Sequence, residues 1–403
     1  MITFESAEAK IDEIVCGPGP RTESRETTEA HGAILAAPAV SVLALPPFDR
    51  ALMDGYAIGE PALSGPFLVT GLVAAGQQAG KPLRAGTTVK VMTGAPIPPG
   101  TEKVIRVERS RLSGDRVIFT ADEDTPNIAL QGQHVSQGQE ILAVGSRLGA
   151  AEIGSLIACG VVRVEVFRPL RAAVFSTGDE LVQRGTPRKE TEIPDSNGPM
   201  LAALGREYGL DLVQQGCLPD DREALSGAFQ DALTRCDLLV VSGGMSAGDF
   251  DFVPEVFGSL GFSLHFTRVA VKPGKPTLFG SWRAPDGQLR LAFGLPGNPV
   301  GAYLMFQLLV LRAVHRWRRS GCPLPLVTLP LACPYSRRDT ERLELVPCRL
   351  TPEATLAPVP YHGSGHLLGL LPAIACFLVP PGVDRLESGA RVTVRFLPRG
   401  GFG

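Results

Sequence analysis

The chain has 403 residues, of which 44% are hydrophobic and 20% are charged, and its formal net charge is −2. At about 150 residues per domain, this length predicts two to four domains, and the composition excludes an intrinsically disordered chain. The nearly balanced charge gives no indication of a protein that binds nucleic acid or an acidic membrane surface.

Cysteine usage and the apolar runs predict a soluble, cytoplasmic protein. The eight cysteines include no Cys-x-x-Cys pair and no His/Cys group at zinc-ligand spacing, so we expect reduced, mostly buried thiols. The first residues carry acids where a signal peptide has a basic start and an apolar run. The most apolar helix candidate, 300–314, is interrupted by Gln307 and Arg312 and is too short to span a bilayer.

The N-terminal part of the chain predicts a first domain that a β module interrupts. Apolar residues at helical spacing predict an amphipathic helix over 3–15, and a second helical segment is predicted over 31–42 with its end at Pro38. From Leu45, short strand-like runs separated by glycines indicate a small β-rich domain. The predicted boundaries are 1–45 and 146–169 for the first domain and 46–145 for the insertion.

From Leu170 onward, predicted strands and helices alternate. Such alternation predicts a doubly wound, largely parallel sheet that binds its ligand at the carboxyl ends of the strands. The predicted strands are 172–175, 212–218, 238–242, 262–271, 277–282 and 289–294, and the predicted helices are 199–208, 222–235, 252–260 and 300–316. The α/β domain is predicted over 170–322 and a small β domain over 323–403, so the fold class is multidomain α/β plus β.

The stretch LLVVSGGMSAGDFD (238–251) carries the first candidate site. Its apolar start predicts a strand buried on both faces, and Gly243-Gly244 would let backbone N–H groups approach an anion before the next helix. Asp249 and Asp251 could add a hard cation such as Mg²⁺. The alternative interpretation is a plain strand-to-helix turn with Asp249 as the helix cap. Taken alone, this stretch leaves both interpretations open.

Three further loops follow predicted strands at what we expect to be the same edge of the sheet. They are STGDEL (176–181), KPGKP (272–276) and GLPGNP (294–299). Together they offer lysines, carboxylates and a helix N-terminus, which suits a phosphorylated ligand with a divalent cation. Lys272 and Lys275 could instead lie on a solvated turn, but the flanking prolines favour a functional loop.

Other motifs are less informative. GGMSAG lacks the spacing of a dinucleotide fingerprint, and PGKPT lacks the upstream glycine of a P-loop. His362 and His366 could bind a metal or an anion, although an exposed loop is the simpler interpretation. Asp54 and Thr93 each sit in a turn of the β module, where the residues alone favour a structural role.

Seven motifs, taken together, resemble the MoeA family, whose members are molybdopterin molybdenumtransferases related to the C-terminal part of gephyrin. The motifs follow the family's order and approximate spacing over nearly the whole chain. They are PPFDRALMDGYAI, KVMTGAPIPPG, FSTGDEL, DSN (Asp195–Asn197), VVSGGMSAGDFD, VKPGKP and GLPGNPV.

The resemblance implies four domains: an elongated dimerisation domain, the inserted β module, a molybdopterin-binding α/β domain and a C-terminal β-barrel-like domain. It also implies a homodimer whose ligand cleft lies between subunits. The implied reaction inserts molybdenum from molybdate into adenylylated molybdopterin, with Mg²⁺-dependent release of AMP. The molybdopterin adenylyltransferase and client molybdoenzymes are the protein partners that it suggests.

Matching the motifs residue by residue assigns roles to particular side chains. The implied catalytic residues are Asp54, Thr93, Glu180, Asp220 and Asp251, and the implied metal ligands are Glu180, Asp249 and Asp251. The same match places Lys272, Lys275, Arg342 and Ser364 on the ligand. The loops add Thr177, Gly243, Gly244, Ser246, Gly248, Pro296 and Asn298 as candidate ligand-binding residues.

The chain departs from the family pattern at three places. The family's Arg-Gly-Glu-Asp is Gln131-Gly132-Gln133-His134 here, and the serine before MDGYA is missing, with Ala51 and Leu52 in that stretch. An Ala-Asn-Gly motif reads Ala373-Ile374-Ala375. Because His134 cannot replace a metal-binding carboxylate, a second hypothesis is a non-catalytic paralogue that stores or delivers the cofactor. A third, the adenylylating enzyme of the pathway, would need none of the extra domains and ranks last.

Overall fold

The computed structural model describes residues 1–16, 21–59, 63, 65–182, 185, 187–245, 251–320, 326–360 and 363–397. The chain divides into two compact units, unit 1 (Met1–Glu23 with Phe167–Gly403) and unit 2 (Ser24–Val166). Within the described residues, every helix is too short or too polar to serve as a membrane span.

The helices cluster in the second half of the chain. The α-helices are α1 (Phe4–Ile14), α2 (Ala150–Ala158), α3 (Asn197–Glu207), α4 (Arg222–Leu233), α5 (Val253–Ser259), α6 (Pro299–Met305) and α7 (Leu311–Trp317). A π-helical segment, Phe306–Val310, joins α6 to α7, so the predicted long helix carries a bulge that its sequence did not indicate. Short 3₁₀ turns lie at Thr27–Glu29, Val107–Arg109 and Leu367–Leu370.

The strands between residues 22 and 167 form one six-stranded sheet and several two-stranded pairs. They are β1 (Thr22–Glu26), β2 (Ala39–Val40), β3 (Arg50–Ala51), β4 (Gly55–Ile58), β5 (Phe67–Val73), β6 (Thr87–Val91), β7 (Lys103–Arg106), β8 (Ser110–Ser113), β9 (Arg116–Phe119), β10 (Ile128–Ala129), β11 (Glu140–Leu142) and β12 (Arg163–Phe167). The sheet order is β7-β4-β6-β5-β9-β8, which confirms a β-rich module.

The helical segment predicted over 31–42 is wrong. This part of unit 2 is extended: Leu35 donates its backbone N–H to Ser146, and β2 pairs antiparallel with β11. Gly32 has a positive φ of 76°, which a helix does not accommodate, and Pro38 cannot donate a helical hydrogen bond. The backbone therefore finds its partners in a distant strand instead of in its own turn.

Unit 1 is built on a six-stranded mixed sheet in the order β16-β13-β17-β21-β20-β18. Its strands and their short neighbours are β13 (Arg171–Thr177), β14 (Leu181–Val182), β15 (Ile193–Pro194), β16 (Asp211–Leu218), β17 (Leu238–Ser242), β18 (Ser263–Phe266), β19 (Val271–Lys272), β20 (Leu278–Arg283) and β21 (Leu289–Leu295). The first four strands of the sheet are parallel, and β20 runs antiparallel to both of its neighbours, β21 and β18.

Helices cover both faces of this sheet. Val240 packs with α1, α3, α6 and α7, whereas Val241 packs with α4 and α5. All five residues of β17 are buried, as expected for a strand that is apolar on both faces. The predicted doubly wound α/β fold is confirmed.

The last part of the chain forms a second sheet of unit 1. Its strands are β22 (Val327–Pro330), β23 (Tyr335–Ser336), β24 (Leu343–Leu350), β25 (Leu356–Pro358), β26 (Ala375–Val379), β27 (Arg385–Leu386) and β28 (Arg391–Phe396). The sheet runs β19-β24-β26-β28-β22, with β25 paired to β24. The predicted strand 262–271 is therefore divided: β18 ends at Phe266, and β19 pairs with Leu343 and Glu344 of β24.

An ion-pair network connects α1 to α7 and β28 within unit 1. Arg312 of α7 binds Glu8 at 3.0 Å and Asp12 at 2.7 Å, and Arg395 of β28 binds Glu8 at 2.8 Å. The Glu8 side chain is only 11% exposed, so its charge depends on these partners. The helix thus groups with unit 1 while residues 24–45 group with unit 2, and the predicted domain boundaries stay a prediction.

We expect Arg312→Met to loosen α1, because Glu8 and Asp12 lose a shared partner at about 1–2 kcal/mol. Hydrogen exchange should be faster in the amides of α1 by a factor of about 5–30. The matched control is Arg316→Met, which removes an exposed arginine of the same helix. Equal exchange in the two variants would show that the network does not hold the helix.

Candidate functional site

The carboxyl ends of the central parallel strands lie side by side. Ser176 of β13 pairs in register with Ser242 of β17, which pairs with Leu295 of β21. Thr177 also pairs with Leu218 at the end of β16. The loops that follow these four strands therefore start at one edge of the sheet, where an α/β fold binds its ligand.

Two glycines allow these loops to pack backbone against backbone. Gly243 has φ of 100°, and a Cβ placed on it would lie 2.2 Å from the carbonyl oxygen of Thr177. A Cβ on Gly297 would lie 3.7 Å from the Cα of Gly243. Any larger residue at position 243 would displace the Thr177 backbone, so a glycine is required here.

One buried asparagine connects three of the loops. The Nδ2 of Asn197 donates to Ser242 Oγ at 2.8 Å and to the Gly297 carbonyl at 2.7 Å. Ser242 Oγ in turn donates to the Pro296 carbonyl at 2.9 Å. Asn197 is 9% exposed and lies at the start of α3, after the motif DSN. Asn197 was not among the predicted site residues, although DSN is one of the motifs that resemble the family.

Carboxylates accumulate at the same edge. Asp220 accepts a hydrogen bond from Thr177 Oγ1, and its own N–H donates to Asp179 at 3.1 Å. Burial, followed by the negative charges of Asp179 and Glu180, raises the pKa of the Asp220 carboxyl. Burial and neighbouring acids likewise raise the pKa of the Cys217 thiol to about 11. These shifts identify a region with excess negative charge, which a cation would relieve.

The KPGKP loop reaches this edge by a route that the sequence did not predict. β20 starts where β21 ends, with Leu278 in register with Gly294, so the loop before β20 lies at the carboxyl ends of the parallel strands. A Cβ on Gly274 would lie 2.8 Å from Met305 of α6, which shows how closely the loop packs on this helix. Lys272 is half-buried beside Glu344, with 3.3 Å between Nζ and Oε1, whereas Lys275 is exposed.

The C-terminal part of unit 1 also contributes to the edge. The carbonyl of Ser364 accepts a hydrogen bond at 3.1 Å from the N–H of Val300, which lies two residues after Asn298, the N-cap residue of α6. Arg342 precedes β24 and binds Asp339, with 2.5 Å between NH2 and Oδ2. This hydrogen bond is the main cause that holds the pKa of Asp339 below its ordinary value.

In unit 2, the predicted residues Asp54 and Thr93 contact each other. The carboxylate of Asp54 accepts hydrogen bonds from the backbone N–H and the hydroxyl of Thr93, both at 2.7 Å. The side-chain hydrogen bond is the larger cause that lowers the pKa of Asp54. The pair thus keeps an ionised carboxylate in a fixed orientation on the surface of the β module.

The altered turn at 131–134 is well formed despite its missing acids. Gln133 accepts the N–H of Leu130 through its side chain at 3.1 Å, and His134 donates its N–H to Leu45 at 2.9 Å. Gln131 donates its N–H to Asp49 at 2.7 Å. The glutamines therefore support the turn, and the His134 side chain is exposed.

Several predicted residues cannot be placed. Ser246, Gly248 and Asp249, as well as His362, lie outside the described residues. Asp251 is described and lies two residues before α5, half-buried. Over the part of the chain that the structure describes, no three His, Cys, Asp or Glu side chains form a ready set of metal ligands.

Comparisons with known proteins cover almost the whole chain. Residues 2–160 match the MoeA N-terminal region (domain I and II), 173–316 a probable molybdopterin binding domain, and 329–397 the MoeA C-terminal region (domain IV). The chain is 34% identical over 303 residues to a molybdopterin molybdenumtransferase of Nostoc sp., covering 71% of this chain and 69% of that one. A protein of the same name from Haemophilus influenzae is 33% identical, with 85% of each chain covered.

A solved structure supports the same relationship. The molybdopterin biosynthesis MoeA protein from Pyrococcus horikosii superposes with a TM-score of 0.82 at 27% identity. The match covers 98% of this chain and 99% of that chain.

We expect Gly243→Ala to lower stability by about 2–4 kcal/mol, since the added Cβ collides with a backbone oxygen and φ is unfavourable. The matched control is Gly227→Ala in α4, where a Cβ would meet nothing within 4 Å. That control should gain about 0.5–1 kcal/mol from helix propensity. Thermal unfolding of both variants measures the difference, and a harmless Gly243→Ala would contradict the close approach to Thr177.

Asp220→Asn should raise the thermal midpoint near pH 7. A raised carboxyl pKa means that the fold is destabilised as pH rises through that pKa, because ionisation is less favourable in the folded than in the unfolded chain. The gain should shrink as the pH falls through the raised pKa of the wild-type carboxyl, which then takes up its proton. The control is Asp211→Asn, an exposed aspartate at the opposite end of β16. A midpoint difference that is independent of pH would rule out this electrostatic cause.

Proposed function

The chain belongs to the MoeA family, and on that basis we propose that it acts in molybdenum cofactor biosynthesis as a molybdopterin molybdenumtransferase. The proposed reaction inserts molybdenum from molybdate into adenylylated molybdopterin and releases AMP. The observation that carries the proposal is the joining of three loops by the Asn197 amide at the carboxyl edge of the sheet. This network fixes backbone amides where a phosphate-bearing ligand of an α/β fold is bound.

The anionic parts of the ligand would meet backbone donors and one lysine. Gly244 has a positive φ of 59°, which suits a turn whose N–H groups face an anion, whereas the N–H of Gly243 donates to the Leu295 carbonyl. The start of α6 after Asn298 adds a positive helix end. Lys272 is the cation best placed to join them, because its ammonium group is ordered by Glu344 and its side chain stays 42% exposed.

The carboxylates at the edge fit Mg²⁺. Mg²⁺ in phosphate-transfer sites usually takes one or two carboxylates, with substrate phosphates and waters completing its shell. One or two of Asp179, Glu180 and Asp220 would supply such oxygens, and burial, followed by the charges of Asp179 and Glu180, raises the pKa of Asp220. Asp251 and Asp249 are the further proposed ligands. Mg²⁺, when bound there, would neutralise charge on the pyrophosphate of the substrate.

We also propose a homodimer. Unit 2 exposes several large apolar side chains, and exposed apolar side chains that lie together are typical of an interface. The residues are Val40, Val42, Leu43, Phe48, Leu52 and Met53. The adenylyltransferase and client enzymes as partners, and a cytoplasmic location, stay predictions.

The carrier hypothesis is not favoured. The acids and Lys272 of unit 1 are retained, and the Asp54–Thr93 pair is formed. The exposed His134 is the main argument for a carrier, but the turn that bears it keeps its backbone contacts to Leu45. A transferase therefore accounts for more of the structure than a binding protein does.

Turnover tests the proposal directly. Purified protein with adenylylated molybdopterin, molybdate and Mg²⁺ should release AMP and reconstitute an apo-molybdoenzyme. We expect Asp251→Asn to lower AMP release by roughly 100-fold, the usual effect of removing a group that acts in the transition state. Asp211→Asn, at the opposite end of the sheet, should retain full activity. Tight ligand binding without AMP release by the wild type would contradict the transferase and leave a carrier.

A further inference from the structure

A buried carboxylate lies directly beside Lys272. Glu344 is 8% exposed, and its Cα is the register partner of Lys272 where β19 pairs with β24. Because the two strands pair in parallel at these residues, their side chains project from the same face of the sheet next to each other. Nζ of Lys272 lies 3.3 Å from Oε1 of Glu344. This contact joins the ligand-facing loop of the α/β sheet to the C-terminal sheet.

The second oxygen of Glu344 faces an immobilised arginine. Arg337 NH1 lies 3.6 Å from Glu344 Oε2, and the Arg337 side chain is only 2% exposed. The guanidinium also donates to the backbone carbonyls of Arg342, Pro380 and Val383. Arg337 is thus fixed by the fold, and its charge lies within ion-pair distance of Glu344 Oε2, an oxygen that accepts no hydrogen bond from the described residues.

This arrangement orients the two carboxylate oxygens of Glu344 toward different partners. Arg337 compensates the buried carboxylate from one side, which leaves Oε1 to hold the ammonium of Lys272 from the other. A lysine has a flexible stem of four carbons and loses much rotamer freedom when an anion orders it. A lysine that is already held loses less on binding, so the anion binds more tightly.

We infer that Glu344 is a positioning residue for Lys272 and so sets the affinity of the site for its anionic substrate. The inference rests on the proposed function, since it takes Lys272 to bind the oxyanion. The opposite effect, in which the carboxylate competes with the anion for the ammonium, predicts an affinity change of the opposite sign. A measurement of affinity therefore distinguishes the two.

The test is steady-state turnover of Glu344→Gln with molybdate as the varied substrate. We expect the KM for molybdate to rise roughly tenfold, as when a group that orients a ligand-binding side chain is removed, while kcat changes less than about twofold. The matched control is Glu341→Gln, which neutralises an exposed acid three residues earlier and should leave KM unchanged. An unchanged or lower KM in Glu344→Gln would overturn the inference.

Two further measurements keep the test decisive. Glu344→Asp keeps a negative charge beside Arg337, so it should fold even if Glu344→Gln does not. Its shorter side chain reaches less far toward Lys272, so the KM for molybdate should still rise. A wild-type KM in this variant would overturn the inference. Calorimetric titration with molybdate alone separates the two proposals. If the wild type binds molybdate more tightly than Glu344→Gln but releases no AMP, positioning holds and the transferase fails. If the wild type binds no molybdate, both fail.

Discussion

The candidate site depends on one amide. The side-chain amide of Asn197 donates one hydrogen bond to Ser242 and one to the backbone carbonyl of Gly297. The hydroxyl of Ser242 in turn donates to the carbonyl of Pro296. Asn197 and Ser242 are buried, and an unpaired buried donor costs about 1–3 kcal/mol. The amide therefore makes one arrangement of three loops much more favourable than the alternatives. Only with those loops fixed can Gly243 lie against the Thr177 carbonyl while its own N–H donates to the Leu295 carbonyl at 3.2 Å.

The fold places several acids together at this edge. Burial is the first cause that raises the pKa of Asp220, and the negative charges of Asp179 and Glu180 add to it, so ionisation of this carboxyl is an unfavourable term at neutral pH. Groups with perturbed pKa in a cleft are typical of functional sites. The opposite charge is kept apart, because Lys272 is held by Glu344 and not by the Asp220 acids. A site with separate cationic and anionic regions can bind an anion and a divalent cation together.

Local sequence predicted most of the fold but not its long-range pairings. The apolar run of β17 and the glycines after it were sufficient to predict a buried strand that ends in a turn, because both depend on near neighbours. The strand predicted over 262–271 was wrong, since Val271 and Lys272 pair with Leu343 and Glu344, about 70 residues away in a second sheet. Asn197 was missed for the same reason: nothing in DSN reveals that its partners follow two distant strands.

The pairing of β19 with β24 makes the C-terminal sheet part of the site. Lys272 lies within that pairing, so its position is set by strands of both sheets, and Ser364 accepts a hydrogen bond at the start of α6. A small displacement of the C-terminal sheet would move Glu344 and the Lys272 ammonium together, since Glu344 lies on β24 of that sheet and its Oε1 contacts Lys272 Nζ. The lysine proposed to bind the anion is therefore coupled to packing that contains no ligand contact. Substitutions in the C-terminal core should consequently alter substrate affinity before they alter the acids around Asp220, which depend on the α/β sheet alone.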